Sequence, residues 1–326
     1  MDRRMLLTTG LVSLAVPSFA QTPAEAPLPS DPRETITLWP ATPPGGAGLT
    51  LPAYRAINHT PPFITPVDRA IYRIGVPMLY VLRPDRPDGS AVIIAPGGGY
   101  FVEMLDFEGM DIARHLNARG VTCFVLRYRL PGDGWAQRSD VPLQDAQRAM
   151  RLVRANAAHY GVDAKRIGFM GFSAGGHVAC SIATRFAAKV YDPVDAADGV
   201  SARPDFSAPI YPVVTMGEGC HAGSRDNLLG RGYTAAQVDA YSCQNHVPVD
   251  APPSWMCLAA DDTTVPPMQN AFAYYKALQE AKIASEMHVF ESGGHGFGLA
   301  QTKGKPVAIW LELFANWAKS HGFFTA

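Results

Sequence analysis

The stretch that most constrains the fold is residues 167–183: an apolar run Ile167-Gly168-Phe169-Met170, then Gly171-Phe172-Ser173-Ala174-Gly175, then Gly176-His177-Val178-Ala179-Cys180-Ser181-Ile182-Ala183. The apolar run suits a strand buried on both faces, and the small and apolar residues after it suit a packed helix. G-x-S-x-G therefore falls at a strand–turn–helix junction. So sharp a turn holds its serine in a strained conformation, and Gly171 and Gly175 let the two backbones approach closely. The Ser173 hydroxyl then stands clear of the sheet as a candidate nucleophile. The N–H of Ala174 lies at the helix N-terminus, where unpaired amides and the helix dipole favour a developing oxyanion.

The rest of the chain repeats the alternation of strand and helix. Ala91–Ala95 reads as a buried strand emptying into Pro96-Gly97-Gly98-Gly99-Tyr100. A helix over 111–119 ends at Gly120, a strand follows over 121–126, and a long helix over 143–160 carries Arg148, Arg151 and Arg154 on a solvated or salt-bridged face. Beyond Ser173 come strands over 206–211, broken in propensity by Pro209, over 255–260 and over 287–290, with helices over 268–281 and from Lys305 or Pro306 through Trp317. This order predicts an α/β fold: a mostly parallel, doubly wound sheet with right-handed crossovers and helices on both faces. Loops at the carboxyl ends of neighbouring strands converge on one crevice in such a sheet, so Gly98 and Gly99 can supply a second set of N–H donors facing Ser173. Tyr100 beside them either walls the acyl pocket or anchors the turn.

Three segments break the rhythm. Residues 71–74 and 78–82 predict a hairpin at a sheet edge. Residues 22–66 are rich in proline and read as an irregular arm on the core. Residues 217–247 read as an inserted loop region or small cap over the crevice, in which His221, Ser224, Arg225 and His246 are candidates for a substrate pocket.

The strand over 255–260 runs into Asp261-Asp262, the place from which a carboxylate reaches a catalytic histidine. Both aspartates are candidates. The strand over 287–290 runs into Glu291-Ser292-Gly293-Gly294-His295-Gly296, where flanking glycines leave His295 free to approach Ser173. Serine, aspartate and histidine then follow in that chain order.

Net charge −1 and pI about 6.7 give none of the basic footprint of a nucleic-acid binder and favour a small or neutral partner. Arg3-Arg4 followed by an apolar run and Ser18-Phe19-Ala20 predicts a twin-arginine export signal cleaved before Gln21, hence a periplasmic or secreted protein with no stable membrane insertion after cleavage. The expected organisation is a signal over 1–20, the arm over 21–66, and one catalytic domain over 67–326 carrying the insertion at about 217–247. Among the five cysteines, Cys123, Cys180 and Cys257 read as core, and export permits a disulfide between Cys220 and Cys243. No C-x-x-C pair or H-E-x-x-H motif points to a metal, and no cofactor is expected.

Together these residues resemble the α/β-hydrolase superfamily, and within it the acetyl-xylan-esterase-like bacterial carbohydrate esterases. The resemblance runs from about Ala91 to Trp317 and rests on Pro96-Gly97-Gly98-Gly99-Tyr100, Gly171 to His177, Asn227-Leu228-Leu229-Gly230, Asp262 with Val265-Pro266, and Gly294 to Gly298. It favours Asp262 over Asp261 and implies a Ser173–Asp262–His295 triad with an oxyanion hole from Gly98, Gly99 and Ala174. The implied activity is hydrolysis of acetyl or other short-chain esters on xylan-type carbohydrates through an acyl-enzyme, with a small-molecule or oligosaccharide ester as partner. Pro96 stands where lipase-like relatives carry histidine, a departure from that branch. The alternatives are a general short-chain carboxylesterase or peptidase of the same fold, and a noncatalytic carbohydrate-binding protein.

Overall fold

Apolar runs of five or six residues become the interior strands of one sheet. The computed structural model describes residues 31–52, 55–58 and 68–325. The expected leader over 1–20, and residues 21–30, 53–54 and 59–66 of the expected arm, lie outside the described residues. In chain order the strands are β1 (Thr35–Thr37), β2 (Arg55–Asn58), β3 (Arg69–Tyr72), β4 (Met78–Leu82), β5 (Ala91–Ala95), β6 (Glu103–Met104), β7 (Thr122–Arg127), β8 (Ile167–Phe172), β9 (Phe206–Ile210), β10 (Ser254–Ala259) and β11 (Ser285–Phe290). The helices are α1 (Asp111–Asn117), α2 (Val141–Ala155), α3 (Ala174–Arg185), α4 (Ala222–Leu229), α5 (Ala235–Ala240), α6 (Ala273–Glu280) and α7 (Trp310–Ser320).

The large sheet has the order β1-β4-β7-β5-β8-β9-β10-β11. β1 and β4 pair antiparallel at one edge, and every pair from β7 to β11 is parallel. Strands β5, β7, β8, β9 and β10 are buried along their whole length, which is why their sequences are apolar rather than alternating. From β5 the chain crosses to β7 on one side, then returns past β5 to β8 and proceeds outward through β9, β10 and β11. Right-handed crossovers therefore put α1 on one face and α2, α3 and α6 on the other. Packing of α2 on α3 agrees with this, and the ion pair from Arg119, just after α1, to Glu312 puts α7 beside α1. The order reverses between β5 and β8, so the loops leaving these two strands face each other across a crevice.

Three expectations need correction, and one expected strand needs an explanation. Residues 71–74 and 78–82 do not form a hairpin: β3 joins β2 and β6 in a separate three-stranded antiparallel sheet, whereas β4 pairs with β1 and β7. The arm is not wholly irregular, because β1 and β2 each find a sheet edge where proline-free residues can form ladders. Pro209 is accommodated inside β9. The amides of Ser207 and Tyr211 point to the β10 side, reaching Pro253 O and Cys257 O, so only one rung is lost between them, on that side. Cys220 and Cys243 are separate free thiols, with Cys243 buried against the Ser181 hydroxyl at 3.5 Å. Cys123, Cys180 and Cys257 are buried as expected. Among the described residues no helix is long and apolar enough to cross a membrane.

Candidate active site

The turn between β8 and α3 places Ser173 at φ 52°, ψ −115°, a strained conformation for a residue with a Cβ. Its surroundings hold it there. The Ser173 amide donates to Ile210 O (3.1 Å), and its carbonyl accepts from the amides of His177 (3.1 Å) and Val213 (3.0 Å). A Cβ on Gly171 would overlap the Gly175 carbonyl, and one on Gly175 would overlap the carbonyls of Ala95 and Pro96, so both positions need glycine for close approach.

Ser173 Oγ lies 2.8 Å from His295 Nε2, and His295 Nδ1 lies 2.7 Å from Asp262 Oδ2. An ionised carboxylate only accepts, so the imidazole proton sits on Nδ1 and Nε2 is left to accept from the serine hydroxyl. The other Asp262 oxygen accepts from the amides of Thr264 and Val265, both at 2.9 Å, which fixes the carboxylate and gives the D-x-x-V-P spacing a physical reason. Asp261 does different work. Its Oδ1 accepts from the amides of Gly293 (2.9 Å) and Gly294 (2.7 Å), tying down the loop that carries His295. Ser173 and Asp262 are buried, at 8% and 5% exposure, while the His295 side chain retains 17%.

The loop after β5 inverts its backbone over three residues, with φ of 124° at Gly98, 64° at Gly99 and 60° at Tyr100. Its carbonyls are turned away and held: Gly97 O accepts from Met104 N, Gly98 O from Phe101 N and Val102 N, all at 3.1 Å, and Gly99 O from Asn227 Nδ2 at 2.9 Å. Among the described residues the N–H groups of Gly98, Gly99 and Ala174 have no acceptor.

Tyr100 does not wall the crevice. It is 1% exposed, and its hydroxyl bonds His177 Nδ1 at 2.7 Å while His177 Nε2 bonds Tyr241 O at 2.8 Å. The aromatic ring thus anchors the turn, the other reading its sequence allowed. His221 lies over the loop, with its Cε1 3.7 Å from where a Cβ on Gly99 would stand. Its Nδ1 caps α4 by accepting from Ser224 N (3.2 Å) and pairs with Ser224 Oγ (2.8 Å), which leaves the proton on Nε2. Burial and the nearby His295 push the His221 imidazole below its ordinary range, against the pull of Asp262. Of the other polar residues singled out over 217–247, Arg225 lies against the Tyr233 ring and His246 bonds Asp239 O.

Sequence reasoning passed over Glu108 and Tyr211. Glu108 sits in a single turn of π-helix over Asp106–Met110, and its carboxylate accepts from Gly97 N and from the Tyr211 hydroxyl. No motif or periodicity marks either residue; an acidic side chain between Phe107 and Met110 was the one available hint.

The family model BD-FAE matches residues 79–277, a stretch that includes Ser173 and Asp262 and stops before His295. The chain is 35% identical over 251 residues to an acetylxylan esterase of Xylanibacter ruminicola, covering 76% of this chain and 48% of that protein. It is 33% identical over 244 residues to endo-1,4-beta-xylanase B of Butyrivibrio fibrisolvens, covering 74% and 36% respectively. The chain therefore spans about half or less of the length of these curated relatives. Among solved structures, an acetyl ester-xyloside bifunctional hydrolase from Caldicellulosiruptor lactoaceticus superposes with a TM-score of 0.72 at 33% identity, covering 91% of this chain and all of that one. The architecture is the α/β-hydrolase fold, and the chain belongs to the BD-FAE family.

Proposed function

We propose that this protein is a serine esterase that removes acetyl or other short acyl groups from xylan-type carbohydrates through an acyl-enzyme on Ser173. The observation that carries the reading is the continuous hydrogen-bonded series Ser173–His295–Asp262 at the β8–α3 turn. His295 Nε2 takes the hydroxyl proton as Ser173 Oγ attacks the ester carbonyl, and Asp262 stabilises the imidazolium that forms. The unpaired N–H groups of Ala174, Gly98 and Gly99 receive the oxyanion, each donor worth about 3 kcal/mol in the transition state. Collapse expels the sugar hydroxyl, which takes its proton from His295; water then attacks the acyl-enzyme by the same route and releases acetate.

The named activities of the relatives support the substrate class, since two act on xylan or its acetyl esters and a third on acetyl esters and xylosides. His221 presents Nε2–H beside the Gly99 turn, where it suits a sugar hydroxyl next to the scissile ester. Residues 217–247 are proposed as a cap built onto the catalytic unit over 67–326, and Asn227 fastens it to the Gly99 carbonyl. The twin arginine and the Ala20–Gln21 junction support export by the twin-arginine route, with work in the periplasm or outside the cell. An N-terminus at Gln21 in protein recovered from the periplasm or medium is the expected outcome for that part.

The direct test is acetate release from acetylated xylan, run beside 4-nitrophenyl acetate and butyrate, with Ser173→Ala as control. Serine-dependent release from xylan is expected. Turnover of the chromogenic esters alone would move the enzyme to the general short-chain carboxylesterases, and no serine-dependent turnover of any of them would remove the reading.

A further inference from the structure

Glu108 is a buried carboxyl beside the proposed nucleophile that the reaction as described above does not use. It is 3% exposed and lies in a single π-turn, an irregularity that recurs at functional sites. Its Oε2 accepts from the Gly97 amide at 2.7 Å, and its Oε1 accepts from the Tyr211 hydroxyl at 2.8 Å. The Tyr211 oxygen in turn accepts from the Gly298 amide at 3.2 Å. A Cβ on Gly97 would stand 2.5 Å from Glu108 Oε2 and 3.0 Å from Ser173 Cβ, so the carboxylate lies directly behind the β8–α3 turn. The Tyr211 ring meets the His295 ring edge-on, with centroids 5.2 Å apart, and that of Phe297 at 4.6 Å. Tyr211 holds φ 34°, a strained value kept by this packing.

We propose that Glu108 is a positioning residue for the esterase reaction: through Gly97 it fixes the base of the oxyanion loop, and through Tyr211 it fixes the histidine loop, so that both halves of the site are set by one carboxylate. The proposal rests on the esterase reading. Every polar partner of the carboxylate is a donor, which is the arrangement of an ionised acid. Burial pushes the Glu108 carboxyl up, opposed by the Tyr211 hydroxyl, the His295 imidazole and the Gly97 amide, with Asp68 pushing in the same sense as burial. Tyr128 also faces it, and Asp262 and His221 face His295 from other sides. A charge there favours the imidazolium of His295 when the serine proton is transferred. Glutamine has the same shape, but its NH2 group either meets the Gly97 amide as donor against donor or turns the Tyr211 hydroxyl into an acceptor, which leaves the buried O–H without the carboxylate it donates to.

The test compares Glu108→Gln and Tyr211→Phe with wild type in 4-nitrophenyl acetate hydrolysis across pH, with thermal melting as the check on folding. The expected result for a folded Glu108→Gln protein is a fall in kcat of about tenfold or more at nearly constant KM, together with an acid limb of kcat/KM moved to lower pH by roughly half a unit. Tyr211→Phe keeps the carboxylate and its charge but releases the histidine loop, so its kcat falls at nearly constant KM while the acid limb does not move to lower pH. A folded Glu108→Gln enzyme whose acid limb stays in place overturns the proposal, whatever happens to its melting temperature. Should Glu108→Gln fail to fold, Tyr211→Phe decides by the kcat-against-KM split: a fall in kcat at nearly constant KM supports the proposal, and an unchanged kcat overturns it. Wild-type protein with no Ser173-dependent turnover would instead sink the esterase reading, and this inference with it.

Discussion

Asp261 and Asp262 are neighbours of the same chemistry, and the backbone gives them different partners. Asp262→Asn turns a donor toward His295 Nδ1 and imposes the wrong tautomer, so kcat is expected to fall by roughly 10⁴. Asp261→Asn keeps an oxygen for the amides of Gly293 and Gly294, and its loss is expected to stay within about tenfold. Parallel kinetics on 4-nitrophenyl acetate check the pair. Tyr100→Phe tests the inward placement of that ring: it breaks the bond to His177, is expected to cost about 1–3 kcal/mol in denaturant unfolding, and leaves KM nearly unchanged because the hydroxyl does not face the crevice. The residues that meet at Ser173 were readable because each stands at a recognisable strand end. Glu108 and Tyr211 were not, because their partners are a backbone amide and a loop far away in sequence, and such pairings leave no spacing in the chain.

At the level of elements, the β8–α3 turn and the β5 loop both hold backbone conformations that side chains resist. Gly98 combines φ 124° with a Cβ direction that runs into the Val102 carbonyl. Gly98→Ala therefore has to reshape the loop, and we expect kcat to fall by about 10² or more with the rest of the sheet intact, measured by kinetics beside far-UV circular dichroism. The strands of the large sheet were legible wherever an apolar run is buried on both faces, as in β5, β7 and β8. The pairing of β3 and β4 was not, since a four-residue strand carries no mark of which sheet it joins. The π-turns at Asp106–Met110 and Met268–Phe272 were also hidden, because one residue of extra winding barely changes helical periodicity.

Across the whole molecule, α2 is anchored by charge as well as by its apolar face. Arg148 is almost fully buried; it donates to Leu38 O, pairs with Asp195, and reaches Asp198 at 3.1 Å, so it ties the N-terminal segment and residues 195–198 to the helix. The arginines of this helix were readable as salt-bridged, but the burial of Arg148 depends on segments distant in sequence. Arg148→Gln leaves the buried Asp198 only the longer contact to Arg151, at 3.9 Å, and is expected to cost about 3 kcal/mol. The bond to Arg148 holds the Asp195 carboxyl below its ordinary value. For Asp198, burial is outweighed by the Tyr191 hydroxyl, the Val194 amide and Arg148, and its carboxyl is lowered too. Carboxyls lowered in the folded state contribute stability above their ordinary value of 3.8 and lose it as pH falls through the lowered one. Wild type should therefore lose stability as pH drops below about 4, and Arg148→Gln should lose less of it over that range, as read by urea midpoints at stepped pH. The central claim is that this whole frame serves to activate Ser173, and covalent labelling tests it most directly. Protein treated with a 4-nitrophenyl phosphonate and mapped by peptide mass should carry one adduct, on Ser173, absent in Ser173→Ala and formed far more slowly in His295→Asn. A folded protein that takes no adduct, or takes it on another residue, would contradict the claim.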